Sequence, residues 1–358
     1  MKINFTPGPS QLYVTTELHA RMAFKTGIPS ISHRSKEFEK FYEEAVNGLK
    51  ELFQIPQGFY VVFTASATEI WERSIQSLVA SESLHFVNGA FSKKYFETAQ
   101  QLGRNPIKVE VKEGLGFKGV PVPQSNPELI ALTHNETSTG VSWPIDFVNS
   151  FREKYPDAII AVDAVSSLPY PKFDFNKIDT LFFSVQKGFG LPAGLGVWIV
   201  NEKCIAKADN LLSKGISVGS YHSLPSLISM TTKNQTPETP NVLGIYLLAK
   251  VTGDFIQRGI KAIRQETDYK AALLYQALEK SSVAQPFVKD KDIRSQTVIV
   301  AETGEHTPAI INALQPFGLY PGDGYGKAKT TQLRFANFPT HSKEQYELLC
   351  DSLGAIKP

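Results

Sequence analysis

The sequence predicts an α/β protein: a large domain with a mostly parallel sheet flanked by helices, plus a smaller C-terminal α/β domain. Three observations predict it. Strand-like and helix-like stretches alternate from about residue 59 to residue 200, the pattern of a parallel sheet covered on both faces. Several strands are apolar almost throughout, Ala158 to Val162 and Leu195 to Val200 among them, as expected where both faces are buried. Beyond residue 210 the pattern changes, and 358 residues are long for one core.

The elements follow in order. Thr6-Pro-Gly-Pro-Ser10 is rigid turn chemistry and by itself reads as an N-terminal loop. Phe38, Phe41, Tyr42, Ala45, Leu49 and Phe53 recur at helical spacing, so a helix runs from near Ser35 to Phe53. Phe59 to Phe63 is a buried strand. Thr64-Ala65-Ser66-Ala67-Thr68 is a turn of small residues, and a helix follows through Ile70, Ile75 and Leu78. A strand, a small-residue turn and a helix N-terminus form a ready phosphate site, because backbone N–H groups and the positive helix end meet the anion. An ordinary strand-to-helix connection has the same appearance.

Leu84 to Val87 is the next strand, and Asn88-Gly-Ala-Phe91 opens a helix. Ile107 to Val111 is another strand. Gly114 to Gly119 matches G-x-G-x-x-G literally, but the prolines between Val120 and Pro127 forbid the helix that a dinucleotide fingerprint needs. The stretch reads as a glycine-rich hairpin or crossover. Strands at Leu129 to Leu132, Ala158 to Val162 and Thr180 to Val185 end at Thr133–Gly140, Asp163 and Gln186-Lys187. Thr231 to Asn241 reads as a loop, and Asn241 to Lys280 as helical with a break near Gly259. A strand at Gln296 to Val300, a helix at Pro308 to Leu314, a loop from Pro321 to Thr331, a strand at Gln332 to Phe335 and a helix from Ser342 to Leu353 complete the chain.

The totals exclude several classes. A net charge of +2 gives no reason to expect nucleic acid or a membrane surface as partner. The two cysteines, Cys204 and Cys350, are too few for a disulfide framework and fit a reducing compartment. The first ten residues lack the apolar core of a signal peptide, and no run approaches transmembrane length. A cytoplasmic protein is expected. The seven histidines are scattered, with no paired spacing for a metal.

The chemistry centres on Lys187, which sits between two apolar strands in Ser184-Val-Gln-Lys-Gly-Phe-Gly190. Burial lowers a lysine's pKa and frees its amine for attack on a carbonyl, including that of pyridoxal phosphate. That cofactor also needs a carboxylate on its pyridine nitrogen, so that the ring accepts electrons. Asp163 is placed for this. Ser66, Ala67 and Thr68 qualify as the phosphate cup, Phe91 as an aromatic on the ring face, and Thr137 as a donor near the ring oxygen. A substrate α-carboxylate calls for an arginine, and Arg334 lies in the apolar stretch Leu333-Arg-Phe-Ala336. In open α/β sheets ligands bind beyond the carboxyl ends of the strands, where Thr137, Asp163 and Lys187 all fall.

These residues carry a resemblance. Thr6-Pro-Gly-Pro-Ser10, Ser32-His-Arg-Ser-Lys-Glu-Phe38, His134-Asn-Glu-Thr-Ser-Thr-Gly140, Val162-Asp-Ala-Val-Ser-Ser167, Gln186-Lys-Gly188, Pro192-Ala-Gly-Leu195, Thr236-Pro237 and Leu333-Arg-Phe335 resemble the class V, fold-type I pyridoxal-phosphate aminotransferases over nearly the whole chain. The resemblance implies Lys187 as the Schiff-base lysine, Asp163 on the pyridine nitrogen, Thr137 near the ring hydroxyl and Phe91 stacked on the ring. It implies Gln186 and Ser66 to Thr68 near the cofactor phosphate. It implies a homodimer with shared active sites, with Gln235 and Thr236 reaching the partner's cofactor. It divides the chain into a large domain, 16–252, and a small domain made of 1–15 and 253–358.

Two branches of the family compete. Phosphoserine aminotransferases share the length, Ser32-His33-Arg34 and Asn135-Glu136-Thr137; in them the His33-Arg34 pair would help hold the substrate's distal anion and Arg334 its α-carboxylate. Alanine–glyoxylate and serine–pyruvate aminotransferases share Ser138-Thr-Gly-Val141, Asp163-Ala-Val-Ser-Ser167 and Tyr325-Gly-Lys327. The first branch's arginine-bearing phosphate loop is replaced here by Thr64 to Thr68, and its His-Arg pair before the carboxylate arginine is absent. Lys327 and Lys329 stand there and are expected to supply the positive charge. The favoured expectation is O-phospho-L-serine:2-oxoglutarate transamination. The rival classes are a nicotinamide oxidoreductase, a cysteine desulfurase and an inactive cofactor-binding protein.

Overall fold

The structure is a computed structural model that describes residues 2–121 and 125–357. In chain order the elements are β1 (Ile3–Phe5), α1 (Thr16–Lys25), α2 (Lys36–Phe53), β2 (Phe59–Thr64), α3 (Ala67–Leu78), β3 (Glu82–Val87), α4 (Ala90–Gln101) and β4 (Asn105–Glu110). Then come β5 (Leu129–Thr133), β6 (Asn135–Glu136), β7 (Val141–Ser142), α5 (Ile145–Lys154), β8 (Ile159–Asp163), β9 (Thr180–Ser184), β10 (Gly196–Asn201), α6 (Glu202–Ser213) and α7 (Leu224–Thr231). The last part holds α8 (Val242–Arg258), α9 (Ile260–Lys280), β11 (Gln285–Pro286), β12 (Val298–Glu302), α10 (Thr307–Leu314), β13 (Leu319–Asp323), β14 (Gln332–Ala336) and α11 (Lys343–Gly354).

A seven-stranded sheet in the order β2-β10-β9-β8-β5-β3-β4 forms the centre. Its pairs are parallel except around β10, which runs antiparallel to both β2 and β9. Side chains alternate across a strand, and here both faces are apolar. Val197 and Ile199 of β10 enter one core with α2 and α8. Trp198 and Val200 enter the other with α3, α6 and α7. This double burial explains the near-continuous apolar strands. The strands β2, β3, β5, β8 and β9 all point one way, so their carboxyl ends share one edge of the sheet.

A second, five-stranded sheet has the order β1-β13-β14-β12-β11. Its core is filled by α9, α10 and α11. Its edge strand β1 comes from the N-terminus and pairs in parallel with β13, Phe5 opposite Pro321. The N-terminal segment therefore leaves the small sheet and crosses to the large one.

The helix break near Gly259 is found: α8 stops at Arg258, and Gly259 takes φ +84 before α9 starts, a conformation that favours glycine. Residues Pro321 to Asp323, expected in a loop, belong to β13. The strand is set by pairing with β1, from the other end of the chain, and with β14 just after it; the proline and glycines of 321–324 hide it in the sequence. Helices α1, α6 and α7 were not expected either. The glycine-rich stretch 114–119 carries no regular element; Gly114 packs on Phe287 and Gly116 on Ile293. The following proline-rich run includes residues 122–124, which lie outside the described residues.

Candidate active site

The carboxyl edge of the large sheet holds a cavity of about 130 Å³. It is lined by Ser66, Ala67, Thr68, Trp71, Phe91, Thr133, Asn135, Thr137, Asp163, Val165, Ser184, Gln186 and Lys187. Each comes from a strand end or from the turn or helix that follows it. The sequence-predicted residues Ser66, Ala67, Thr68, Phe91, Thr137, Asp163, Gln186 and Lys187 are thus brought together.

Lys187 follows β9 and is buried. Its Nζ donates to the carbonyl of Pro7, at 2.7 Å. Burial, and then the charge of Arg334, push its pKa down to about 8. The roof over the amine is the N-terminal segment. The Ser10 amide donates to the Gln186 carbonyl and the Tyr13 amide to the Gly190 carbonyl. A Cβ on Gly8 would lie 2.1 Å from Lys187 Nζ, so only glycine lets the segment pass so close. The Thr6–Ser10 turn is therefore a wall of the site rather than a plain loop.

Asp163 ends β8 and is buried. Oδ1 accepts from the Val165 amide at 3.0 Å and Oδ2 from Trp71 Nε1 at 2.8 Å. Desolvation raises its pKa to about 6, against the lowering by those two donors. Trp71 was not singled out from the sequence. It lies four residues after Ala67, one helical turn behind the cup and on the same face; that spacing was the only local signal, since Asp163 is 92 residues away in sequence.

At the start of α3, Ser66 Oγ accepts from the Glu69 amide and Ser184 Oγ from the Ala67 amide. The cup's first donors are thus partly committed to protein acceptors, although the helix N-terminus still faces the cavity. Thr137 Oγ1 donates to Ser166 Oγ at 2.7 Å, and Asn135 Nδ2 donates to the same oxygen. The N-terminus of α4, which carries Phe91, is held by Glu136. This buried carboxylate accepts from the amides of Phe91 and Ser92 and from the Ser92 and Ser138 hydroxyls, favourable at a positive helix end. Its role was also missed; a Cβ on Gly89 would strike it.

Arg334, on β14, does not line the cavity but borders it. It donates to the carbonyls of Asp323 and Thr137 and lies over the Tyr325 ring, 5.4 Å from its centre. Six predicted residues are elsewhere. Arg34 donates to Gln235 Oε1, the Thr236 carbonyl and the Pro237 carbonyl. His33 packs edge-on against Phe38. Gln235 reaches Glu39, and Thr236 Oγ1 donates to the Glu238 carbonyl. Lys327 and Lys329 lie on an exposed turn away from the cavity.

A wider cleft of about 570 Å³ opens at the opposite edge, beside Glu128, Asp157 and Lys203. There Lys203 is committed to the carbonyls of Pro156 and Ala158, so it offers no free nucleophile. Cys204 and Cys350 are buried, and burial holds both thiols well above their usual range; neither is a mobile nucleophile. Among the described residues no group of side chains is arranged to hold a metal ion.

The cavity offers a buried amine of lowered pKa, a buried carboxylate opposite it, a helix N-terminus and an aromatic face. Gln186 Oε1 and Asn135 Oδ1, on residues that line it, are buried with no protein partner. Buried polar atoms are rarely left so, and a polar ligand would satisfy both. The donor set fits an aldehyde cofactor that carries a basic ring nitrogen and a phosphate.

Comparison with known proteins agrees with this chemistry. Residues 122–318 match the model of the family described as aminotransferase class-V. A phosphoserine aminotransferase of Rhodococcus opacus is 30% identical over 98% of this chain and 94% of its own length. The solved phosphoserine aminotransferase of Cytophaga hutchinsonii is 52% identical, with a TM-score of 0.96 and 98% of both chains covered. An aspartate aminotransferase of Thermus thermophilus shares the fold, with a TM-score of 0.84 at 21% identity.

Proposed function

The chain belongs to the class V aminotransferases, whose cofactor is pyridoxal phosphate, and from that premise we propose that it transfers the amino group between O-phospho-L-serine and 2-oxoglutarate. The observation that carries the reading is the pairing, across one small cavity, of a buried amine whose pKa lies near 8 with a buried carboxylate. The substrate is supported by the near-complete match to the Cytophaga hutchinsonii enzyme.

Bound pyridoxal phosphate supplies a carbonyl for amine exchange and a ring that accepts electrons from the substrate's Cα. Lys187 would be the residue that bonds to it, and its free amine would move the proton at the substrate's Cα as general base and acid. A pKa near 8 suits both roles near neutral pH. The Pro7 carbonyl holds the free amine over the cavity in the meantime. Asp163 would hold the ring nitrogen, with Trp71 and Val165 fixing its two oxygens. Ser66, Ala67, Thr68 and Gln186 would hold the phosphate, Phe91 would cover the ring, and Thr137 would serve the ring oxygen. Arg334 would take the α-carboxylate.

The same reading assigns 16–252 to a large domain and 1–15 with 253–358 to a small one. It makes the protein a homodimer. His33, Arg34, Gln235 and Thr236 sit away from their own chain's cavity, which suits residues that serve the partner's. Leu18 and Phe24 of α1, with Val14 just before it, expose apolar surface suited to an interface: Val14 is 80% and Phe24 66% exposed. The free cysteines favour a cytoplasmic setting.

The test is a single-turnover absorbance titration of the cofactor-loaded protein with L-glutamate, O-phospho-L-serine, L-alanine and L-serine. Fast conversion by glutamate and phosphoserine alone supports the reading. Conversion by alanine or serine with phosphoserine inert overturns the substrate and favours the alanine–glyoxylate or serine–pyruvate branch.

A further inference from the structure

The turn that roofs Lys187 is held at both ends by one short segment, residues 338–341, just after β14. The Pro7 carbonyl, which accepts from Lys187 Nζ at 2.7 Å, lies between Asn4 and Gln11. His341 Nε2 donates to the Asn4 carbonyl at 2.9 Å, and Gln11 Nε2 donates to the Thr340 carbonyl at 2.8 Å. The two ends are also tied to each other, since the Asn4 amide donates to Gln11 Oε1 at 3.1 Å. Within the turn, the Thr6 amide donates to Asn4 Oδ1 and the Thr6 hydroxyl to the Pro9 carbonyl. Phe5 stacks on the His341 ring, 4.9 Å between centres.

The clamp is itself fixed, because each carbonyl from Phe338 to His341 accepts from a side chain. Lys270 Nζ, on α9, donates to that of Phe338 at 3.1 Å and to that of His341 at 2.6 Å. Arg258 Nη1 donates to that of Pro339 at 3.5 Å, and Gln11 takes that of Thr340. Lys270 is fully buried. Glu266 Oε1 stands 3.7 Å from its Nζ, and the other oxygen of that carboxylate is taken by Arg258.

We propose that Lys270, with Gln11 as the second arm, is a positioning residue: by gripping residues 338–341 it sets where the Pro7 carbonyl stands over Lys187. The proposal rests on Lys187 being the reacting amine of the function proposed above.

A buried ammonium is unfavourable unless its donors are used, and packing alone would be served by methionine. Here the charge does what methionine cannot, satisfying two buried carbonyls of the clamp. The next link is set by the same chemistry. His341 Nε2 faces a carbonyl and so carries the proton, which leaves Nδ1 to accept from Thr340 Oγ1 at 3.2 Å. Burial lowers the His341 pKa to about 3, so the ring stays neutral. From Lys270 to Asn4 every step is therefore a hydrogen bond between buried or half-buried groups. Beyond Pro7 the Ser10 and Tyr13 amides anchor the far side of the turn to Gln186 and Gly190; the near side, Asn4 to Pro7, depends on β1 and the clamp. Burial is also the largest cause of the lowered Lys187 pKa, so a loosened roof must show at that amine.

The experiment reads Lys187 directly. In the cofactor-free protein, the pH dependence of Lys187 acylation by acetic anhydride, followed by mass spectrometry of its peptide, gives the pKa of the amine. The holoenzyme gives the half-reaction rate at saturating L-glutamate. Lys270→Met keeps the stem and removes the donors. Gln11→Met cuts the second arm at a half-buried position. Lys343→Met removes an exposed charge near Lys270, at the start of α11. The charges of Arg334 and Asp163, which also act on Lys187, are untouched in all three. Lys270→Met is expected to raise the Lys187 pKa by about one unit, towards that of an exposed lysine, and to lower the half-reaction rate by about 10-fold. Gln11→Met should move both the same way by less, and Lys343→Met should move neither. A folded Lys270→Met with the Lys187 pKa in place overturns the proposal, as does an equal shift in Lys343→Met. If Lys270→Met does not fold, Gln11→Met decides: a shift supports the clamp and no shift overturns it. The pKa readout needs no substrate. A shift in a protein that transaminates no donor would leave the clamp standing and remove the proposed function, whereas normal transamination without the shift removes the clamp alone.

Discussion

Trp71→Phe is the substitution that most directly tests how the site is tuned. Asp163 is buried with one hydrogen bond to each oxygen, from Val165 and from Trp71. Phenylalanine keeps an aromatic ring against Tyr95, on which Trp71 now stacks at 5.9 Å, but it has no N–H. A hydrogen bond to a charged group contributes about 1.5–3 kcal/mol, and one pKa unit is about 1.4 kcal/mol. Losing this donor should therefore raise the Asp163 pKa by about 1–2 units, from about 6 to roughly 7–8. At pH 7 the carboxylate that the ring nitrogen requires would then be about half protonated or more. The assay is the pH profile of cofactor affinity for the cofactor-free protein, from about pH 5.5 to 9. The acid limb of affinity should move up by about 1–2 units, and the loss of affinity should be largest at about pH 6.5. If the acid limb stays in place while affinity falls uniformly, Trp71 is only a packing residue and the argument is refuted.

Other outcomes follow from the same geometry. Lys187→Ala should abolish turnover and the visible absorbance of lysine-bound cofactor; retention of both would remove Lys187 from the chemistry. Asp163→Ala should keep some cofactor and lose most of the rate, and an unchanged rate would exclude its role at the ring nitrogen. Gly8→Ala would place a methyl group 2.1 Å from Lys187 Nζ, so turnover should fall by about 100-fold, as misplacement of a reacting group by an ångström does. A normal rate would mean that the roof segment moves freely. His222 is buried between Glu69 at 2.5 Å and Glu238 at 2.7 Å; these partners raise its pKa to about 9 against the opposing effect of burial. A raised histidine pKa stabilises fully below the unfolded value of 6.5 and loses that stabilisation as pH climbs through 9. Unfolding in urea should lose about 1–2 kcal/mol between pH 6.5 and 9, discounted for partial solvent screening, and His222→Gln should flatten that dependence. A slope that survives in the variant would assign it to another group.

The parts of this protein that were legible in its sequence are those where one short stretch both forms an element and carries the chemistry. Lys187 and Asp163 follow apolar strands directly, so strand direction alone places them at one edge. Gly259 announces its own helix break. What was hidden depends on partners remote in the chain. β13 carries β1 along its edge from the other end of the chain, and Pro7 reaches Lys187 across 180 positions. Trp71 reads as one more apolar residue on a helix until Asp163 arrives from 92 residues away. The charges follow the same division. Lys327 and Lys329 drew attention because they precede Arg334 in sequence; both are exposed, and neither lines the cavity. Side chains that would bond to the cofactor sit at strand ends and so leave a local pattern. Side chains that another helix or the N-terminal segment brings to them leave none, and there the sequence is silent until the fold joins them.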